Sequence, residues 1–221
     1  MKGHEQASPY YPIFLNIRGK KCVVVGGGQV ALRKANALLK HGANVEVISA
    51  DPCQELGKLA ERGEVHLLSR DYAQGDLVDA LIAIAATDNG KTNEEVAAEA
   101  RGRGILINVV DDPHRSDFIV PSYLSRGDVT IAVSTGGRSP ALARKIRANL
   151  EKDFGTEYAS LALVISEVRS ELKRRGITVE SDYWQEVLDL DSLIDMVQAG
   201  RIEEVRAILL TNLEKLGRRE S

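Results

Sequence analysis

From residue 22 to residue 110 the chain alternates short apolar runs with longer stretches whose apolar residues recur every three or four positions. The short runs are 22–25 with Val23-Val24-Val25, bounded in front by Lys20-Lys21, then 44–49 with Val45, Val47 and Ile48, 65–68, 81–86 and 105–110. Between them, 29–40 places Val30, Leu32, Ala35, Leu38 and Leu39 at helical spacing, and His41-Gly42 ends that helix. Further helices are predicted over 54–62, stopped by Gly63, over 76–80, and over 94–101, capped by Thr92 or Asn93 and closed by Gly102. Continuous apolar runs of strand length imply strands covered on both faces. Their alternation with helices predicts an α/β, Rossmann-like doubly wound parallel sheet.

Beyond residue 112 the pattern changes. Residues 118–121 and 128–134 read as strands of a separate small sheet, and Thr135-Gly136-Gly137-Arg138 reads as a turn. Ser139-Pro140 then opens a helix with serine at the cap and proline in the first turn, and Leu142, Ile146 and Leu150 are its expected apolar stripe. The remainder is helical, through stripes at Tyr158–Leu172, Trp184–Leu188, Leu193–Val197 and Ile202–Leu213 that read as helix packing rather than a cofactor box. The expected division is 1–112, a nucleotide-binding domain, 113–150, a small sheet region, and 151–221, an α-helical C-terminal domain. Residues 1–8 read as a flexible leader and 217–221 as a fraying end.

The first strand runs into Gly26-Gly27-Gly28-Gln29-Val30-Ala31. A strand, a glycine turn and a helix start in that order form a dinucleotide-binding βα turn. Gly26 permits the tight turn, Gly28 lets backbone approach a pyrophosphate, and Ala31 lets the helix pack on the strand. Gln29 and Val30 then present helix N-terminal N–H groups to the phosphates. Ligands in such sheets lie beyond the strands' carboxyl ends, which adds Ala50, Asp51 and Thr87 as cofactor-binding candidates. Asp51 is the acidic residue available to ribose hydroxyls, and no Arg or Lys lies between Asn44 and Gln54 to take a 2′-phosphate. That favours NAD over NADP. The competing readings are a βα turn without ligand and an Asp51 that caps a helix ahead of Pro52.

The chain has 221 residues and a formal net charge of −3, which supplies no general attraction for nucleic acid or membranes. No apolar run is long enough to span a bilayer, and no basic segment followed by an apolar one opens the sequence. Cys22 and Cys53 are the only cysteines, so the expected compartment is a reducing cytoplasm. His4, His41, His66 and His114 have no ligand spacing, and no protein-bound metal is expected.

Three segments in this order resemble the precorrin-2 dehydrogenase family, which includes the dehydrogenase/ferrochelatase module of siroheme synthase. They are Val25 to Ala35 around the glycines, Asn108-Val109-Val110-Asp111 with Phe118-Ile119-Val120-Pro121-Ser122, and Ala132-Val133-Ser134-Thr135-Gly136-Gly137-Arg138-Ser139-Pro140. Tyr11-Pro12-Ile13-Phe14-Leu15 also fits the family's start. The resemblance implies oxidation of precorrin-2 to sirohydrochlorin by NAD and, in some members, insertion of ferrous iron, there a substrate, to give siroheme. It also implies a dimerisation sheet, an intertwined homodimer and an active site in a cleft between domains. Asp111 matches the family's essential aspartate and is the expected general base, although Asp111-Asp112-Pro113 is also good turn chemistry. Asp112 and His114 read as loop residues. Ser134, Thr135, Gly136 and Arg138 are the expected substrate-binding residues, because a hydroxyl- and glycine-rich turn at a helix start suits the tetrapyrrole's carboxylates. Arg115, Arg126, Arg144 and Arg147 are further sources of positive charge. A different class of function is a nucleotide-sensing module of the potassium-channel regulatory type. Such modules share the glycine turn and lack the second and third segments.

Overall fold

In the computed structural model, which describes residues 10–217, the first apolar run forms β1 (Lys21–Val25), and Gly26 turns the chain toward α1 (Gln29–Lys40). The chain continues through β2 (Asn44–Ile48), α2 (Gln54–Glu61), β3 (Val65–Leu68), β4 (Ile82–Ala85), α3 (Gly90–Arg103) and β5 (Leu106–Val109). The five strands form one sheet in the order β3-β2-β1-β4-β5, and every pair is parallel. This is the doubly wound sheet expected from the apolar runs. The order reverses at β1, so the crevice beyond the carboxyl end of β1 is the place where such sheets bind ligands.

Alternation along each strand divides the core between the two faces. Cys22, Val24, Val45, Val47, Ile82 and Ile84 pack with Ala31, Ala35 and Leu38 of α1 and Leu56 and Leu59 of α2. Val23, Val25, Ile48, Ala83, Ala85, Ile107 and Val109 pack with Val96, Ala97 and Ala100 of α3. Burial pushes the Cys22 thiol up to about 11, only partly offset by a backbone hydrogen bond from Ile82.

The first unit ends at Val120 and the second begins at Pro121. The second contains the antiparallel pair β6 (Ser122–Arg126) and β7 (Val129–Val133), with α4 (Pro140–Asp153) packed on both. Four helices follow: α5 (Glu157–Arg174), α6 (Ser181–Val187), α7 (Leu190–Gln198) and α8 (Ile202–Gly217). Their shared core holds Leu161, Val164, Val168, Trp184, Leu193, Val205, Leu209 and Leu213. Among the described residues no helix is long and apolar enough to cross a membrane.

Several local expectations are corrected. Residues 76–80 form successive turns rather than a helix, because Gly75 at φ 106° and Asp79 at φ 63° leave the helical region. Helix α3 starts at Gly90, since Asn89 accepts from Lys91 and Thr92 N–H and caps it before Thr92 or Asn93 is reached. It ends at Arg103, with Gly104 in the left-handed conformation and Gly102 inside the helix. Cys53, not Asp51, stands at the N-cap of α2. Residues 118–121 are not a strand. Asp117 N–H donates to Ile107 O, Asn108 Nδ2 donates to Phe118 O, and Phe118 packs on the α1 side of the first core. Those contacts pin the segment against β5 and leave no ladder for it to join. On α4, Ala143 is buried, whereas Leu142 and Ile146 of the expected stripe face outward. The leader at 1–8 and the last four residues of the expected fraying end lie outside the described residues.

Candidate active site

The three glycines have three separate structural reasons. Gly26 has φ 132°, and a Cβ there would sit 2.3 Å from the carbonyl oxygen of Ala86, just past β4. Only glycine lets β1 turn this close to its neighbour. A Cβ on Gly27 would sit 2.3 Å from both the Asp51 carbonyl oxygen and Ser49 Oγ. Cys53 N–H also donates to Gly27 O at 2.8 Å, so the glycine loop is clamped against the turn that follows β2. A Cβ on Gly28 would meet nothing within 4 Å. The space beside Gly28 is therefore open.

Gly28 is the N-cap of α1, and no side chain caps that helix. Its first turn carries no acidic residue either. Gln29 and Val30 N–H groups therefore stand at an uncapped, positively polarised helix end. An open glycine before such an end is the donor set a pyrophosphate needs, so these residues fit a dinucleotide.

Asp51 and Ala50 are exposed in the turn after β2, where Asp51 N–H donates to Ser49 Oγ at 3.2 Å. Thr87 follows β4, and its hydroxyl is engaged by Asn89 O at 3.0 Å and Asn93 Oδ1 at 2.8 Å. The first unit thus gathers the glycine loop, Ala50, Asp51, Thr87 and Asp111 at the carboxyl ends of β1, β2, β4 and β5.

The chain past β5 explains how Asp111 is presented. Ser116 Oγ accepts from Val109 N–H and donates to Asp112 O, and Asp112 Oδ1 accepts from Arg115 N–H. Arg115 pairs with Asp112 at 3.4 Å and with Glu94 at 2.7 Å. Asp112 is therefore committed to holding the turn. Asp111 lies at φ 59°, in the left-handed region, and its side chain is exposed with no hydrogen bond among the described residues. The turn holds a carboxylate outward on a backbone conformation that disfavours side chains.

In the second unit, Gly136 at φ 61° and Gly137 at φ 83° make the turn between β7 and α4. Gly136 N–H donates to Ser134 Oγ at 3.1 Å, and Ser139 N–H donates to Thr135 Oγ1 at 3.0 Å. Ser139 Oγ accepts from Leu142 N–H and caps α4 as expected. Arg126 and Arg147 both pair with Glu151, whereas Arg138 and Arg144 have no carboxylate partner among the described residues.

Residue types alone overlooked two side chains in the first unit. Lys34 Nζ donates to Asn108 Oδ1 at 3.3 Å, which joins α1 to β5 three residues before Asp111. The signal was available, because Lys34 interrupts the buried spacing of Ala31, Ala35 and Leu38. Ser49 was the other, as the partner of Asp51 N–H and neighbour of Gly27.

Comparison with known proteins agrees with this layout. Residues 13–122 match a family model described as NAD(P)-binding, and 126–152 match one described as sirohaem biosynthesis protein central. The chain is 40% identical over 207 residues to a siroheme synthase of Nitrosococcus oceani, covering 93% of this chain and 44% of that protein. It is 43% identical over 200 residues to a siroheme synthase of Chromobacterium violaceum, covering 90% of this chain and 42% of that protein. The chain thus spans less than half the length of these relatives. A solved structure of SirC, a precorrin-2 dehydrogenase, shares the fold with a TM-score of 0.71 at 23% identity, covering 93% of this chain and all of that one.

Proposed function

We propose that this chain, similar to siroheme synthases over its NAD(P)-binding and central segments, oxidises precorrin-2 to sirohydrochlorin with NAD. The observation that carries this reading is the juxtaposition of two features at one sheet edge. One is an uncapped helix end behind an open Gly28, and the other is the outward carboxylate of Asp111. A bound nicotinamide supplies the hydride acceptor. The accompanying proton goes to the Asp111 carboxylate, which has no hydrogen-bond partner among the described residues competing for it. Gly26, Gly28, Gln29 and Val30 hold the pyrophosphate, while Ala50, Asp51 and Thr87 border the dinucleotide along the neighbouring strand ends. Asp51 without a nearby Arg or Lys in its turn supports NAD over NADP.

In the second unit we assign Ser134, Thr135, Gly136 and Arg138 to carboxylates of the macrocycle. The Arg138 guanidinium, with no carboxylate partner among the described residues and beside a two-glycine turn, supports this. We also propose that the region 113–150, with β6, β7 and most of α4, forms a homodimer interface ahead of the helical domain 151–221. The outward Leu142 and Ile146, 52% and 37% exposed in the single chain, support that role. The relatives' name denotes an iron-bearing product and favours a second activity at the same site, with Asp111 taking pyrrole N–H protons as ferrous iron enters.

The test is anaerobic incubation with precorrin-2 and NAD. Stoichiometric NADH and sirohydrochlorin are expected, and nucleotide binding without turnover would instead identify a sensing module. Iron insertion is checked by following Fe²⁺ or Co²⁺ entry into sirohydrochlorin, and a rate equal to that without protein removes the second activity.

A further inference from the structure

The second turn of α1 carries a cation on the wrong face for a solvated lysine. Ala31, Ala35 and Leu38 are the buried positions of α1, and Lys34 shares their side of the helix. Its ammonium donates to Asn108 Oδ1 at 3.3 Å. On β5, Asn108 falls in alternation with Leu106 and Val110, both packed in the α1-side core, and it is only 8% exposed. Asn108 Nδ2 donates to the Phe118 carbonyl at 3.0 Å. With its amino group committed there, Asn108 offers its oxygen to Lys34 and fixes where the ammonium sits.

One of three ammonium donors is thereby satisfied, by a neutral partner. Among the described residues Lys34 has no carboxylate within ion-pair distance. Burial lowers its pKa and Arg33 adds repulsion, while the charge of Asp111 acts in the opposite direction. A partly buried cation without a bonded counter-ion is unfavourable by itself and favourable once an anion arrives. The pyrophosphate is poorly placed to be that anion. Lys34 lies six residues past Gly28, about 9 Å along the helix axis at the α-helical rise. Its ammonium is also turned toward β5 rather than the glycine loop.

We propose that Lys34 is a substrate-binding residue whose ammonium, fixed by the Asn108 amide, takes a carboxylate of the tetrapyrrole beside Asp111. This role rests on the precorrin-2 oxidation proposed above. It orients the macrocycle so that the carbon losing its proton faces the Asp111 carboxylate.

The test compares Lys34→Met and Lys34→Arg in the full chain. Three quantities are read: KM for precorrin-2, NAD affinity by fluorescence titration, and the thermal midpoint. Loss of a charge-assisted hydrogen bond predicts that Lys34→Met raises the precorrin-2 KM by about 10- to 100-fold. NAD affinity and midpoint stay near wild type, and Lys34→Arg recovers most of the KM. Added salt raises the wild-type KM more steeply than that of Lys34→Met. An unchanged KM in Lys34→Met overturns the role while leaving the dehydrogenase reading standing. Weakening of NAD binding to the same extent overturns it in favour of a cofactor contact. Equal loss in Lys34→Met and Lys34→Arg, with a lowered midpoint, overturns it in favour of a structural tie to Asn108. A wild-type chain that gives no NADH from precorrin-2 overturns the dehydrogenase reading first, and this role with it.

Discussion

Replacing Asp111 with glycine should remove turnover without weakening the fold. Asp111 has φ 59°, where an L-residue is disfavoured by about 1–2 kcal/mol relative to the right-handed region. Glycine relieves that strain. It also gives the unfolded chain more freedom, which offsets about 0.4–1 kcal/mol of the gain. No hydrogen bond of the carboxylate is lost, since none is made among the described residues; only its long-range support of the Lys34 cation goes, and that is small for an exposed carboxylate. The balance runs from no change to about 1.5 kcal/mol of added stability, and each kcal/mol moves the midpoint of a chain this size by about 2–4 °C. Asp111→Ala keeps a Cβ at the same φ and should melt below Asp111→Gly by about 1 kcal/mol, the reverse of the usual alanine-over-glycine order. Thermal melts of both variants, with NADH production and NAD titration on the same samples, check this. Glycine less stable than alanine would show that side-chain contacts, not backbone strain, govern the position. Turnover in Asp111→Gly at the wild-type rate would refute its role as the base.

Other outcomes follow from neighbouring geometry. Gly27→Ala should destabilise by about 1–3 kcal/mol, because its Cβ meets backbone of the β2–α2 turn at 2.3 Å. Gly28→Ala should melt like wild type yet bind NAD more weakly, and paired melts and titrations separate the two. Glu99, with a side chain only 3% exposed, is raised by burial but more strongly lowered by hydrogen bonds from Tyr72 hydroxyl, Gly75 N–H and Arg103. Its net shift is below the ordinary 4.5, so its contribution is present above that pH and fades as pH falls through the folded-state value. Urea titrations from neutral to acid pH should show that loss in wild type and less of it in Glu99→Gln. Tyr72→Phe removes a hydrogen bond to this charged group and should lower stability by about 1.5–3 kcal/mol at neutral pH. If α4 carries the proposed homodimer interface, Ile146→Glu on its outward face should yield a monomer in light scattering, and an unchanged dimer mass would place the interface elsewhere.

The parallel sheet was legible mainly because its central strands are covered on both faces and read as apolar runs, as at Ile82–Ala85. The glycine turn was legible because two of its residues need conditions only glycine meets, a positive φ at Gly26 and a close approach at Gly27. Boundaries were harder where two residue types compete for one task. Asn89 capped α3 ahead of Thr92 and Asn93, and Asp79 at positive φ ended a helical pattern that composition alone allowed. The apolar stripe of α4 gave the helix but not its orientation, since Leu142 and Ile146 have the right spacing for a core they do not enter. Lys34 was overlooked for a related reason. Its partner Asn108 lies 74 residues away, and only the crossing of α1 over the sheet brings them together.

The most direct test is a stoichiometric time course with precorrin-2 and NAD, run on wild type and on Asp111→Gly. Wild type should release one NADH for each sirohydrochlorin formed, while the variant binds NAD with unchanged affinity and forms neither product. Equal product formation by the two proteins would contradict the assignment of the proton to this carboxylate.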